Sequence, residues 1–168
     1  MAGTFIGVIM KKICIITMLL IAAAGGLYAS DSFSAGFEVG EIGPDLAFGV
    51  RLTSPWLFDG YAAARLSGDL AWNTAAAWSP YGVFRLGLIG SSGMIADFAR
   101  LYGEGGGMLL WNEDSAGGLV PGGYGLFGFE FFTGEDSPLS YFIEAGTNGS
   151  SLTRLTGFDI RTGLSVYF

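Results

Sequence analysis

The sequence Phe158-Asp-Ile-Arg-Thr-Gly-Leu-Ser-Val-Tyr-Phe168 decides the fold of this chain. Apolar residues, with Thr162 among them, occupy every second position, and polar or small residues fill the positions between. Because successive side chains of a β-strand point to opposite faces, this period predicts a strand with one apolar and one polar face.

The same alternation recurs upstream, for example over 46–54, where Leu46, Phe48 and Val50 alternate with small or polar residues. Clusters of Gly, Pro, Asn, Asp and Ser separate the alternating segments, as turn residues do. The chain is therefore predicted to be all-β, an eight-stranded antiparallel up-and-down barrel with no helical segment. The predicted strands are 32–40, 46–54, 61–72, 81–90, 98–111, 124–133, 139–147 and 157–168.

The composition of the 168-residue chain is apolar and poor in charge. Charged residues make up 14%, against about 25% in soluble domains, while apolar residues reach 51% and glycine contributes 29 residues. Aromatic residues, at 15%, exclude a disordered chain. A formal net charge of −7 with 8 Lys and Arg residues excludes a nucleic-acid-binding protein.

The N-terminal segment explains part of this apolar excess. Lys11 and Lys12 precede an apolar run over 13–29 that ends at the small residue Ala29. A charged start, an apolar middle and a small exit residue are typical of a secretory signal peptide. We therefore expect a cleaved signal peptide over 1–29, with translation starting at Met10, and a barrel domain over 30–168. The alternative is an uncleaved membrane anchor.

The remaining residues 30–168 contain no cysteine, histidine or lysine. Disulfides cannot crosslink such a domain, so hydrogen bonds and packing must stabilise it. A conventional zinc site lacks its ligands, and a histidine acid–base catalyst is absent. We expect neither a metal nor another cofactor.

The charged residues of the predicted strands keep to one face of each strand. In a soluble sandwich that face would be rich in Lys, Glu and Thr, whereas here its other members are mostly Gly, Ala and Ser. This pattern favours a transmembrane barrel, whose apolar face meets lipid and whose sparse polar face fills the interior. Enclosed charges must be paired, so the sequence predicts an interior ion network. Its members are Glu38, Arg51, Arg65, Asp69, Arg85, Arg100, Glu104, Glu130, Glu144, Asp159 and Arg161.

Trp and several Tyr residues gather at the ends of the predicted strands, whereas Phe dominates their middles. Membrane barrels place such aromatic girdles at the two membrane–water interfaces. The predicted girdle consists of Trp56, Trp72, Trp78, Trp111, Tyr141 and Tyr167.

In this pattern residues 30–168 resemble the small eight-stranded outer-membrane barrels of the OmpA and OmpX type. The last strand is similar to the signal read by the barrel-assembly machinery, carried here by Gly163, Leu164, Val166 and Phe168. The resemblance implies export through the periplasm to the outer membrane of a diderm bacterium, with outer-membrane lipid and that machinery as partners. It also implies an N-terminus in the periplasm and outer loops at 41–45, 73–80, 112–123 and 148–156.

The enzymes known among such barrels use a histidine, which this chain lacks. Glu130 and Glu144 fall on one face of neighbouring strands, but five arginines share that face, so an ion network is favoured over a catalytic pair. We expect a non-enzymatic envelope protein that acts through its outer loops, with 112–123 as the segment for an unidentified extracellular ligand. Two alternatives stay open: a narrow channel for ions or small solutes, and a soluble, lipocalin-like ligand-binding barrel.

Overall fold

A computed structural model describes residues 32–73, 79–96, 98–111, 118–134, 137–151 and 156–168, and these form a closed β-barrel. Eight strands pair antiparallel in sequence order, and β8 returns to pair with β1. The strands are β1 (Ser34–Ile42), β2 (Asp45–Thr53), β3 (Ala62–Asn73), β4 (Ser79–Ala96), β5 (Ala99–Trp111), β6 (Leu119–Phe132), β7 (Leu139–Ser150) and β8 (Gly157–Tyr167). The predicted eight-stranded up-and-down barrel is confirmed, while the predicted signal peptide over 1–29 lies outside the described residues.

No helix in the described part of the chain is long and apolar enough to cross a lipid bilayer.

The closure between β1 and β8 runs along both strands, from Ser34↔Tyr167 to Ile42↔Asp159. A closed barrel leaves no strand edge with unpaired N–H and C=O groups, so every strand has two hydrogen-bonded neighbours. We call the end where β1 begins and β8 ends the lower rim. The upper rim is the end where β1 turns into β2.

The upper turn between β1 and β2 is shorter than the predicted loop 41–45. Ile42 already pairs with Asp45, which leaves only Gly43 and Pro44 between the strands. Gly43 has a φ of 61°, as the first central residue of a type II′ hairpin turn requires. The prediction of a five-residue outer loop here was wrong, because a two-residue turn matches the twist of the flanking strands.

Strand β4 continues well past the predicted segment 81–90 and ends at Ala96. The Ser91-Ser-Gly93 sequence, which falls between the predicted strands 81–90 and 98–111, lies within β4, where the register to β5 shifts between Ser91 and Met94. A β-bulge of this kind absorbs residues that would otherwise end a strand, and Gly93 supplies the required positive φ of 90°. The long end of β4 pairs with β5 and extends the lower rim.

Strand β6 begins at Leu119, so the predicted loop 112–123 is wrong over its second half. The glycines and Pro121 of this segment suggested a loop. The pairing of β6 with β7 begins only at Gly122↔Ser150. Pro121 lies outside the part of β6 that pairs with β7. The N–H group that proline lacks is therefore not needed for a hydrogen bond to β7. The upper loop predicted over 148–156 is also shorter than expected, because β7 continues to Ser150.

The two faces of the wall differ sharply. Most large apolar side chains of the strands point outward, and Leu88, Phe127 and Phe158 are each exposed by 73–75%. Inward positions of the same strands hold nearly all the charged residues, together with Gly, Ala, Ser, Tyr and a smaller set of buried aliphatic residues. The alternation thus builds both surfaces at once and directs the charges to the interior.

Candidate functional site: the ion-paired interior

All eleven charged residues of the predicted network lie on the inner face of the barrel. Ten are buried, and Arg100, near the lower rim, keeps 13% of its side chain exposed. They come from all eight strands, because each strand contributes one or two inward charges at alternating positions. The network therefore crosslinks strands that are far apart in sequence.

The central cluster is organised around the Glu144 carboxylate. Its Oε1 atom accepts hydrogen bonds from Arg51 Nη1 at 2.6 Å and Arg65 Nη1 at 2.7 Å, and a further one from the Tyr102 hydroxyl. Arg65 Nη1 also donates to Glu104 Oε2 at 2.6 Å. One oxygen on β7 thus holds groups from β2, β3 and β5.

A second cluster lies nearer the upper rim and contains two arginines and three acids. Arg85 donates to Asp69 at 2.9 Å and to Asp159 at 3.0 Å. Arg161 binds Asp159 through Nε at 2.7 Å and Glu38 through Nη1, also at 2.7 Å. Arg51 Nη1 lies 3.8 Å from the Glu38 Oε2 atom, which joins the two clusters.

Aromatic rings lie against three of the four guanidinium groups of these clusters, those of Arg51, Arg65 and Arg85. The Arg51 guanidinium carbon lies 3.1 Å from the centre of the Phe142 ring, and that of Arg85 lies 5.4 Å from the Tyr124 ring. Such cation–π contacts are strongest in desolvated surroundings. They replace hydration on the faces of guanidinium groups that hydrogen-bond only at their edges.

At the lower rim the network is looser. Arg100 Nη1 lies 3.7 Å from Glu130 Oε2, beyond hydrogen-bond distance, and the guanidinium sits 4.3 Å from the Trp56 ring. Glu130 Oε1 instead accepts hydrogen bonds from Ser140 at 2.7 Å and Tyr167 at 2.5 Å. Glu130 is therefore held mainly by hydroxyl groups, and Arg100 rests mainly on an aromatic ring.

The upper end of the interior is largely apolar, which the sequence analysis missed. Tyr81 donates a hydrogen bond to Asp45 at 2.9 Å, and Asp45 is completely buried. Because Asp45 follows Gly43 and Pro44, the sequence predicted that it lies in a turn. The inward direction of its side chain was therefore not predicted. The surrounding cluster consists of Ile42, Ala47, Ala71, Tyr81, Val83, Met108, Leu110, Tyr124 and Leu126.

Three of the predicted girdle residues face outward. Trp72 packs edge-on against Phe48 near the upper rim, and Trp111 is 45% exposed at the end of β5. Tyr141, 43% exposed, stacks on Phe131 near the lower rim.

Two other girdle predictions were wrong, and one lies outside the described residues. Trp56 is only 2% exposed, because the β2–β3 connection folds it beneath Arg100. Tyr167 shares the inward face of β8 with Arg161 and binds Glu130. Trp78 falls outside the part of the chain that the structure describes.

The predicted assembly signal occupies the lower half of β8. Leu164, Val166 and Phe168 point outward and are exposed by 53%, 46% and 72%. Gly163 points inward, where an added Cβ would meet the Phe37 carbonyl oxygen and lie 2.5 Å from the nearest carbon of the Phe142 ring. The Phe168 N–H donates to the Phe33 carbonyl, which ties the end of β8 to the start of β1. Recognition of this strand by the assembly machinery stays a prediction.

This arrangement suits crosslinking and polar lining rather than acid–base chemistry. Each buried carboxylate of the two clusters is bound by at least one guanidinium. Among the described residues, no group of three or more His, Cys, Asp or Glu side chains has a geometry that could hold a metal ion.

Comparisons with known proteins identify the fold. No family model matches the chain, and no curated protein matches its sequence. Among solved structures, the chain is similar to the crystal structure of the N-terminal β-barrel domain of Pseudomonas aeruginosa OprF, with a TM-score of 0.65 and 14% sequence identity. The match covers 84% of this chain and 100% of that chain. The fold is that of the small eight-stranded barrels of the OmpA type.

Proposed function

We propose that this chain is a non-enzymatic integral outer-membrane protein of a diderm bacterium. The observation that carries the proposal is the outward face of the barrel wall. Among the described strand residues, Glu41 is the one charged side chain that points outward, and it lies next to the upper turn. An outward surface so poor in charge and so rich in exposed Leu and Phe matches lipid, not water.

In the proposed orientation, the lower rim faces the periplasm and the upper rim faces the exterior, as in the barrels that the chain resembles. The upper connections then carry the surface role. Of the predicted contact segment 112–123, the part that precedes β6 is the proposed contact for an extracellular ligand. Outer-membrane lipid and the barrel-assembly machinery are the other proposed partners.

Heat-modifiable gel migration tests the proposal directly. We expect the chain refolded in detergent to run as a compact band that shifts on boiling, with a far-UV circular dichroism spectrum typical of β-structure. A barrel with no exposed strand edge resists detergent unfolding until it is heated. A chain that is soluble without detergent and shows no shift would favour the lipocalin-like alternative.

Leu86→Arg separates the membrane and soluble alternatives by the size of its effect on stability. Leu86 lies midway along β4, faces outward and is 65% exposed. In lipid we expect the substitution to lower the free energy of unfolding by about 2 kcal/mol, because arginine must leave water. Urea unfolding of the protein folded in phospholipid vesicles measures this loss.

Gly134→Arg is the matched control for that measurement, since Gly134 is exposed in the lower-rim turn between β6 and β7. We expect it to change stability by less than about 0.5 kcal/mol. If Leu86→Arg is equally harmless and improves solubility, the outward face meets water and the proposed membrane location is wrong.

A narrow ion channel is a second candidate, and the length of the charged interior supports it. Inward charges extend from Arg100 and Glu130 at the lower rim to Asp45 at the upper end. If the protein conducts, planar bilayers should show discrete current steps that change in Arg85→Ala or Glu130→Ala. Silent bilayers containing demonstrably folded protein would contradict the channel.

A further inference from the structure

An exposed apolar patch covers the lower rim below β2–β5, outside the charged interior. It combines the β2–β3 connection with the end of the β4–β5 hairpin. Its large side chains are exposed by 39–77%. We call this set the lower-rim patch: Leu57, Phe58, Tyr61, Met94, Ile95 and Phe98.

Backbone contacts hold the two halves of the lower-rim patch together. The Ser91 N–H donates to the Tyr61 carbonyl at 2.9 Å, which joins the β4 extension to the β2–β3 connection. Within that connection, Leu57 forms a β-bridge with Ala62. At the other end, the Phe132 N–H donates to the Phe98 carbonyl at 2.8 Å. The patch is thus a built surface and not a set of unrelated loop residues.

The backbone holds one member of the patch in an unfavourable conformation. Phe58 and Asp59 have φ values of 54° and 56°, in the left-handed region that bulky L-residues avoid. Gly60, which follows, takes a φ of 90° at no such cost. The strain at Phe58 positions a ring that is 77% exposed. Packing within the described barrel therefore does not explain why a phenylalanine occupies this position.

The lower-rim patch continues the outward surface of the barrel. Ala99, next to Phe98, pairs with Phe131, and the Phe131 ring stacks on Tyr141 at 4.8 Å. On the other side, Leu88 and Leu86 lead down β4 toward the patch. The patch segments 57–61 and 94–98 contain no basic residue, and their two acids are Asp59 and Asp97, of which Asp97 lies outside the described residues. A predominantly apolar surface of this kind suits hydrocarbon better than a charged protein partner.

We infer that the lower-rim patch inserts into the phospholipid leaflet on the periplasmic side and anchors the barrel there. The inference rests on the proposed membrane location. It adds a contact with lipid below the lower-rim ends of β2 and β3. Strands of about 9–11 residues suffice to cross a bilayer, so the 18 residues of β4 exceed what crossing requires. The extra length carries apolar side chains of the patch that would enter the leaflet.

Spin labels at single cysteines test the insertion. The full chain has one native cysteine, so Cys14→Ser supplies a background in which Phe58→Cys and Phe98→Cys each give a unique site. The proteins are refolded in phosphatidylcholine vesicles, and collision with oxygen is compared with collision with a water-soluble nickel chelate. Leu88→Cys marks the lipid-facing wall, and Gly134→Cys marks a lower-rim turn outside the patch.

We expect labels at 58 and 98 to collide with the nickel chelate several-fold less often than the label at 134, approaching the label at 88. If 58 and 98 match 134 while 88 stays protected, the patch faces water, the inference fails and a periplasmic protein partner becomes the better explanation. If the label at 88 also collides freely with the chelate, the proposed membrane location itself is wrong. The gel shift on boiling verifies folding for each variant, and the Phe98 label tests the patch independently of the strained turn.

Discussion

Glu144→Gln is expected to lower the free energy of unfolding by about 3–5 kcal/mol, because it removes one partner of a buried charge cluster. The Glu144 Oε1 atom is bound at once by Arg51, Arg65 and Tyr102. Gln has nearly the same shape, so the loss reports charge and not volume. Among the described residues, Arg51 would keep Glu38, at 3.8 Å, as its one acidic partner. Urea unfolding in phospholipid vesicles measures the change.

Glu41→Gln is the matched control, since Glu41 is the outward, exposed acid of β1. Its carboxylate is near the upper turn, and its loss should change stability by less than about 0.5 kcal/mol. If both substitutions had the same small effect, the interior pairs would be solvated and the barrel would not depend on them for its stability. A severe loss from Glu144→Gln with a neutral Glu41→Gln would instead assign the crosslinking role to the interior charges.

The barrel could be predicted from the sequence because one period determines both faces of every strand. In β8 the alternation from Phe158 to Phe168 specifies which side chains point inward, and the same rule placed the eleven charged residues on one surface. Strand ends were harder to predict. Ser91-Ser-Gly93 has the composition of a turn, yet a register shift accommodates it within β4. Local turn propensity does not show that a neighbouring strand continues alongside.

The direction of a side chain outside a regular strand could not be predicted. Trp56 follows Pro55 in the β2–β3 connection, where no alternation indicates whether the indole points to lipid or beneath the barrel. Tyr167 is different, because it shares its strand face with Asp159 and Arg161, and that parity already indicated an inward ring. Tyr102 could have been found in the same way, between Arg100 and Glu104 on the inward face of β5.

Partner choice within the network depends on the stagger between strands, which single-strand patterns do not contain. Arg51 and Glu144 are 93 positions apart in sequence, and only the closed sheet brings them to 2.6 Å. Alternation placed both residues inside the barrel, whereas the register of all eight pairs decides their relative height. The set of charges was therefore predictable, and the pairing was not.

Gly146→Ala should also be strongly destabilising, for a reason that lies in the backbone. Gly146 points inward on β7, and an added Cβ would meet the Gly125 carbonyl oxygen and lie 2.7 Å from the Leu126 Cα atom. Both are main-chain atoms of β6, whose distance from β7 the hydrogen-bond ladder fixes. The methyl group can therefore be accommodated only by separating the strands. We expect a loss of about 3 kcal/mol in the free energy of unfolding, at the upper end for overpacked sites.

Gly105→Ala provides the comparison on the opposite face of the wall. Gly105 points outward on β5, and its added Cβ would find only the Tyr124 carbonyl oxygen, at 3.8 Å. Since glycine weakens a strand relative to alanine, this variant should gain about 0.5 kcal/mol or stay unchanged. Equal effects of the two substitutions would mean that glycine serves strand flexibility at both positions. Opposite signs would show that the inward glycines are required where the curved wall brings neighbouring backbones too close for any side chain.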